Sequence, residues 1–371
     1  MNIAIWGAGK FGKHVGEQIK KMQNIVCYID NRAEIVEDVL GIKVVSPTEY
    51  MSYYAQNTDI VLIAVLNYGE IYKQISNMNV KKYGIVGKLV YTQRLTISSD
   101  ILRDVNIVYN DEIESKEIHL RKLETNVVDF CNLNCKGCSH FSNLFDKGDA
   151  VGYESFEKDI IFLSEKVFID HFDLLGGEAF LAENLDKYIE CLRKYMPKTS
   201  ITVVSNGVLI PRQKDTLLVC IRENNVLVSI TEYPPTSKMK EKIVSTLENA
   251  GIMYEFRRKA EDFGKNIDLD GKNDPYRAQS ECRESGCHFL RAGRIYKCPF
   301  SALGNRFFEQ YEIPLHFEEG IEIYNEGIDL DKALKELEAE PVKLCRYCGK
   351  EERFQWEVSN HPKADEWLII R

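Results

Sequence analysis

The chain has 371 residues, enough for two or three domains at roughly 150 residues each. Its 48 Lys and Arg against 57 Asp and Glu leave a formal charge of −9, which argues against nucleic-acid or anionic-lipid partners. The hydrophobic (44%) and charged (28%) fractions are those of an ordinary globular protein, and the longest apolar run, residues 60–66, is far below the roughly 20 that span a bilayer. With no secretory-leader pattern at the N-terminus, a cytoplasmic location and no membrane partner are expected.

In chain order, residues 2–6 read as a strand, 7–12 as a glycine turn, 13–22 as a helix and 24–29 as a second strand. Residues 60–66 form a strand buried on both faces, 70–78 a helix and 83–86 a further strand. This is a doubly wound α/β pattern, a Rossmann-like domain over residues 1–93. Residues 94–120 are charged and weakly periodic, and read as a connector. A second α/β series occupies 121–275, with strands at 123–128, 169–175, 201–204, 226–230 and 253–256. Helices fall at 156–167, 185–195 and 238–250. Connections this short predict a partial parallel barrel. Beyond, residues 276–371 hold cysteine pairs around a hairpin-like stretch, 289–296.

Eleven cysteines is a high count for a reducing compartment, and eight of them cluster. Cys131, Cys135 and Cys138 lie in one loop, Cys282, Cys287 and Cys298 around the hairpin, and Cys345 with Cys348 beyond. A secreted disulfide framework would be shorter, with cysteines spread through its loops, so metal is the better reading. Cys131-Asn-Leu-Asn-Cys135-Lys-Gly-Cys138 follows a predicted barrel strand, at the end where such barrels do chemistry. Three thiolates hold a corner of a four-iron cube and leave one iron open; zinc with His140 is the alternative. The isolated Cys191 and Cys220 read as buried small apolar residues.

These residues resemble the radical S-adenosylmethionine (SAM) superfamily. Gly176-Gly177-Glu178, after the second barrel strand, is similar to the family's GGE motif, which contacts the methionine amino group. Ser205-Asn206-Gly207 resembles its ribose-side turn, and Ser229 its ribose or carboxylate contact. Gly137 departs from the family, where an aromatic often precedes the third cysteine. The resemblance implies a (β/α)6 core with a [4Fe–4S] cluster on Cys131, Cys135 and Cys138. It also implies cleavage of SAM to a 5′-deoxyadenosyl radical, fed by a flavodoxin- or ferredoxin-type donor. Cys282-x10-Gly293-x4-Cys298 with Cys345-x2-Cys348 resembles the twitch form of the SPASM extension, which implies an auxiliary [4Fe–4S] cluster. One of Cys282 and Cys287 is then spare; a zinc ribbon is the other reading.

Gly7-Ala-Gly9-Lys-Phe-Gly12, between strand and helix, permits close backbone approach to a phosphate, with Asp30 after the next strand. NAD fits this pattern. Residues 2–90 also resemble the Rossmann-like domain of PglD-type sugar acetyltransferases, which implies a nucleotide-linked sugar with Asp30 near its base. A scaffold binding nothing is the third reading. The expected activity is hydrogen abstraction from a small polar substrate such as a nucleotide-linked sugar. Modification of a ribosomal peptide and a non-catalytic cluster scaffold are the alternatives.

Overall fold

Four buried residues in succession, Ile3 to Trp6, make β1 (Asn2–Trp6) a central strand, since a strand covered on both faces needs no polar alternation. The computed structural model describes residues 1–65, 71, 74–75, 78, 80, 82–86, 106–109, 118–147, 151–282 and 286–369. The chain divides into two units, Met1–Glu117 and Ile118–Arg371.

In the first unit β1 lies between β2 (Asn24–Ile29) and β5 (Ile60–Ile63), parallel to both. The sheet runs β3-β4-β2-β1-β5-β6-β7, with β3 (Asp38–Val39), β4 (Ile42–Val45), β6 (Lys82–Ile85) and β7 (Asn106–Tyr109). Strand order reverses around β1, so the glycine turn that follows it opens on the crevice where doubly wound sheets bind ligands. Helix α1 (Lys10–Ile19) buries Phe11, Val15 and Ile19, spaced at i, i+4 and i+8, against the sheet. A short α2 (Pro47–Tyr53) starts on Ser46, whose hydroxyl caps the Glu49 amide at 3.2 Å. One expectation changes here. Residues 106–109, read as connector, pair antiparallel with β6 at the sheet edge. The helix expected at 70–78 falls mostly outside the described residues, as does Leu66 of the third strand.

The second unit is built on β8 (Ile118–Val128), β9 (Val167–Gly176), β10 (Ser200–Ser205), β11 (Leu227–Glu232) and β12 (Tyr254–Lys259). These are parallel and adjacent in chain order. Helices α3 (Tyr153–Lys166), α4 (Leu185–Tyr195), α5 (Asp215–Glu223) and α6 (Pro234–Asn249) connect them. Alternate residues on one sheet face, among them Leu123, Val127, Phe172, Leu174, Val228 and Ile230, join the helices in one core. Cys191 and Cys220 lie in that core.

On the other side of β8 the sheet continues through β14 (His288–Arg291), parallel to it, then β15 (Arg294–Tyr296) and β16 (Ile321–Glu322). The β14–β15 hairpin turns on Ala292 and Gly293, both at positive φ (48° and 75°), the geometry of a two-residue type I′ turn. Buried Asp159 on α3 pins that turn, accepting from the Gly293 amide at 3.0 Å and the Tyr324 hydroxyl at 2.5 Å. Also in this unit are β13 (Asp262–Ile267), antiparallel to β17 (Cys348–Gln355), and helices α7 (Pro275–Ser280), α8 (Pro299–Gln310) and α9 (Leu330–Ala339). A second, aromatic core of Phe141, Phe289, Phe307, Phe308 and Trp367 packs α8 against the segment that follows the cysteine loop.

Candidate functional site

In the first unit, a Cβ on Gly12 would stand 1.7 Å from the Gly7 carbonyl oxygen, and one on Gly7 (φ +120°) 2.8 Å from that of Ala64. Both glycines are therefore demanded by packing. Gly9 is different: among the described residues, no atom beyond its chain neighbours and its own helix backbone lies within 4 Å of its Cβ position, and it begins α1 without a side-chain cap. The first amides of a helix have no intrahelical partner, so this is the point where an anion can approach. Asp30, 8% exposed, accepts from the Ala8 amide at 2.9 Å with one oxygen and from the Arg32 amide at 2.9 Å with the other. Burial alone would raise its pKa; the Ala8 and Arg32 amides together with the Arg32 guanidinium outweigh burial and lower it. Asp30 thus ties β2 to the glycine turn. We expect Gly12→Ala to cost this unit about 1–3 kcal/mol, read by thermal unfolding, while Gly9→Ala melts close to the parent.

In the second unit, Cys131, Cys135 and Cys138 sit on the loop beyond β8, and all eleven thiols of the chain are free of disulfides. Asn134 (φ 48°) and Gly137 (φ 60°) turn the backbone back between successive cysteines. Burial pushes the Cys131 thiol up to about 12 and raises Cys135 too, and the charge of Cys138 adds to both. Buried thiolates this close are unfavourable together unless a cationic group shares them. N–H groups already point at the sulfurs: Leu133 donates to Cys131 Sγ at 3.4 Å and the Trp356 indole to Cys135 Sγ at 3.2 Å.

The end of β9 is joined directly to this loop. The Gly177 amide donates to Val128 at 3.0 Å and the Glu178 amide to Phe130 at 3.2 Å. A Cβ on Gly176 would fall 2.2 Å from the Val128 oxygen, and one on Gly177 2.2 Å from that of Phe130. Only glycine permits this approach. Glu178, 1% exposed, then accepts from Ser205 Oγ at 2.7 Å, the Asn206 amide at 2.8 Å and the Phe180 amide at 3.1 Å. Burial raises its pKa against these three donors. Asn206 extends its own amide to Asn132 Oδ1 at 2.8 Å. The cysteine loop, the Gly-Gly-Glu turn and the Ser-Asn turn are therefore one hydrogen-bonded assembly at the C-terminal ends of three adjacent strands.

The sheet face opposite the core carries a polar network. Lys122 lies 3.1 Å from Glu124 and 3.0 Å from Asp173; Ser229 donates to Glu255 at 2.6 Å and accepts from Arg257 Nε at 2.8 Å. Burial opposes the Lys122 charge, but Asp173 and Glu124 outweigh it and raise its pKa. Ser229 is thus engaged with β12. His140 contacts Asn126 Oδ1 at 3.3 Å and the edge of Phe289.

The C-terminal cysteines divide. Cys298 precedes α8 as its N-cap residue, and burial pushes its thiol up to about 12, with charge from Cys282 and Cys345 adding to this. Cys348 is raised by burial and then by Cys298, Cys345 and Cys282, so these four are electrostatic neighbours. Cys287 is placed beside Lys122, with Sγ 3.7 Å from Nζ. Among the described residues, no three His, Cys, Asp or Glu side chains converge closely enough to hold a single ion. The donor chemistry of the first loop, three unpaired thiols with N–H groups aimed at sulfur, fits an iron–sulfur cube.

Residues 1–86 match the family described as C2185-like, N-terminal, and residues 123–249 match the 4Fe-4S single cluster domain. The second match includes Cys131, Cys135 and Cys138 and stops short of the C-terminal cysteines. GTP 3′,8-cyclase of Aquifex aeolicus is 24% identical over 157 residues, 41% of this chain and 47% of that protein. The chain thus spans about half the length of that relative. Similar solved structures include BtrN in complex with AdoMet and 2-DOIA, at 14% identity over 62% of this chain and 93% of that one, with a TM-score of 0.39. Native anSMEcpe with bound AdoMet is 21% identical over 37% and 43% of the two chains, with a TM-score of 0.30. Streptococcus suis SuiB bound to S-adenosylmethionine is 12% identical over 65% and 74%, with a TM-score of 0.31. Residues 123–249 are thus similar to a 4Fe–4S single cluster domain, and that span carries the motifs by which the sequence resembles the radical SAM superfamily. For residues 1–86 the match is to the C2185-like family, and the likeness to PglD-type acetyltransferases stands on the sequence reading alone.

Proposed function

We propose that the chain is a radical SAM enzyme acting on a small polar substrate, a nucleotide-linked sugar or related glycan precursor. The observation that carries this is the joined assembly of cysteine loop, Gly176-Gly177-Glu178 and Ser205-Asn206 at the C-terminal ends of β8, β9 and β10. Cys131, Cys135 and Cys138 would hold the [4Fe–4S] cluster, which with bound SAM supplies a radical able to abstract hydrogen from an unactivated C–H bond. The protein's own residues do the positioning. Glu178 fixes the Ser205-Asn206 turn against the loop, and Gly176 and Gly177 leave no side chain between strand and cysteines. The polar face from Lys122 to Glu255 offers carboxylates and cations to a hydroxylated substrate. Gly9, at the start of α1, offers helix amides to a phosphate. Outcome at the substrate is oxidation, epimerisation or dehydration.

An auxiliary [4Fe–4S] cluster on Cys282, Cys298, Cys345 and Cys348 belongs to the same proposal, with Cys287 as the spare thiol; the mutual charges of those four support it. Cys282→Ser is expected to remove about four irons per chain and Cys287→Ser none, by iron analysis after anaerobic reconstitution. Equal loss in both would contradict the division. The substrate is tested by anaerobic binding of UDP-, CDP-, GDP- and dTDP-linked sugars beside NAD. Tight binding of one sugar nucleotide supports the proposal. Binding of NAD alone would replace it with a coupled dehydrogenase, and silence from all would turn the search to peptide substrates.

A further inference from the structure

The C-terminal strand β17 connects the two cysteine sets. It begins at Cys348 and ends at Gln355, one residue before the indole that reaches Cys135. Beyond it the backbone adds to the cysteine loop as a short antiparallel strand. The Lys136 amide donates to Glu357 at 3.0 Å, the Ser359 amide to Asn134 at 2.8 Å, and Cys135 bridges Val358. Lys136 and Glu357 also form an ion pair. Phe354 fills the space in front of Gly137, where a Cβ would meet its ring at 2.9 Å. The Trp367 indole closes the far end, donating to the Cys138 carbonyl at 2.8 Å. Trp356 itself packs on Tyr233, ring centroids 5.9 Å apart, so its N–H is held in place.

On the reading that Cys131, Cys135 and Cys138 hold a cluster, we infer that Trp356 raises that cluster's reduction potential through its hydrogen bond to Cys135. Adding one electron, from a ferredoxin-class donor or a chemical reductant, increases the negative charge on the thiolate sulfurs. An N–H aimed at one of them is then a stronger hydrogen bond in the reduced state than in the oxidised state. Low dielectric around the buried Cys135 enlarges the difference. No proton moves; the indole stays a donor throughout. Trp356 is a positioning residue of the electron-accepting step, contributed from a segment outside the parallel strands β8–β12.

The test is a redox titration of the reconstituted full chain, following the electron paramagnetic resonance of the reduced cluster that responds to added SAM. Trp356→Phe keeps a ring against Tyr233 and removes the donor. It is expected to retain the parent's iron and to shift the midpoint to lower potential, with slower SAM cleavage under a weak reductant. Unchanged iron with an unshifted midpoint would overturn the inference. Should Trp356→Phe lose iron, Trp356→His, which keeps a ring N–H, decides: full iron with a midpoint near the parent's supports the bond, and iron loss again overturns it. Parent protein that binds no iron in this loop would instead refute the cluster reading, a distinguishable result.

Discussion

Cys135→Ala is expected to form no 5′-deoxyadenosine above the protein-free background when reconstituted, reduced and given SAM under anaerobic conditions. Cys135 is the middle thiol of the loop and is itself buried, and its sulfur takes the Trp356 indole. Without it the first loop keeps two thiols, too few to ligate three of a cube's four irons, so iron should fall by about four per chain. The thiols at Cys282, Cys298, Cys345 and Cys348 are untouched by the change, so their iron should remain. Undiminished cleavage would remove Cys135 from the site.

Glu178→Ala is expected to be the most damaging single change outside the cysteines. It deletes a carboxylate that is 1% exposed and serves three donors, Ser205 Oγ and the amides of Asn206 and Phe180. Leaving these buried donors without their acceptor costs about 3–5 kcal/mol in all. At roughly 2–4 °C per kcal/mol for a unit of this size, the melting temperature should fall by about 6–20 °C. Because Asn206 also reaches Asn132 in the cysteine loop, iron retention should fall with it. Glu178→Gln keeps one acceptor oxygen and should lose less on both counts. An unchanged melting temperature in Glu178→Ala would show that the carboxylate does not brace the turns.

What was legible in the sequence follows from the range of the interactions. β1 and α4 match the expected spans because an unbroken apolar run and a repeating helical stripe, Leu185, Tyr188, Ile189 and Leu192, are local signals. The cysteine loop was legible for the same reason: its three thiols lie within one turn of chain. The glycines of residues 7–12 and 176–177 were visible as motifs, but their use was not. Gly12 and Gly177 are glycine because a backbone carbonyl occupies the space of a Cβ, and that neighbour is set by tertiary packing. Asp30 likewise reads as a ligand contact in sequence, yet its two oxygens are engaged by Ala8 and Arg32. Least visible were Trp356 and Phe354. Both meet the first loop from the far end of the chain, and no periodicity or spacing joins them to it. The absence of an aromatic at Gly137 was the one trace, and Phe354 fills that space.

The most direct test of the account is to reconstitute the parent protein anaerobically, count its iron, reduce it and measure 5′-deoxyadenosine from SAM. Two cubes predict about eight irons per chain together with 5′-deoxyadenosine formation. Protein that binds zinc in place of iron, or holds the iron and leaves SAM intact, would contradict it.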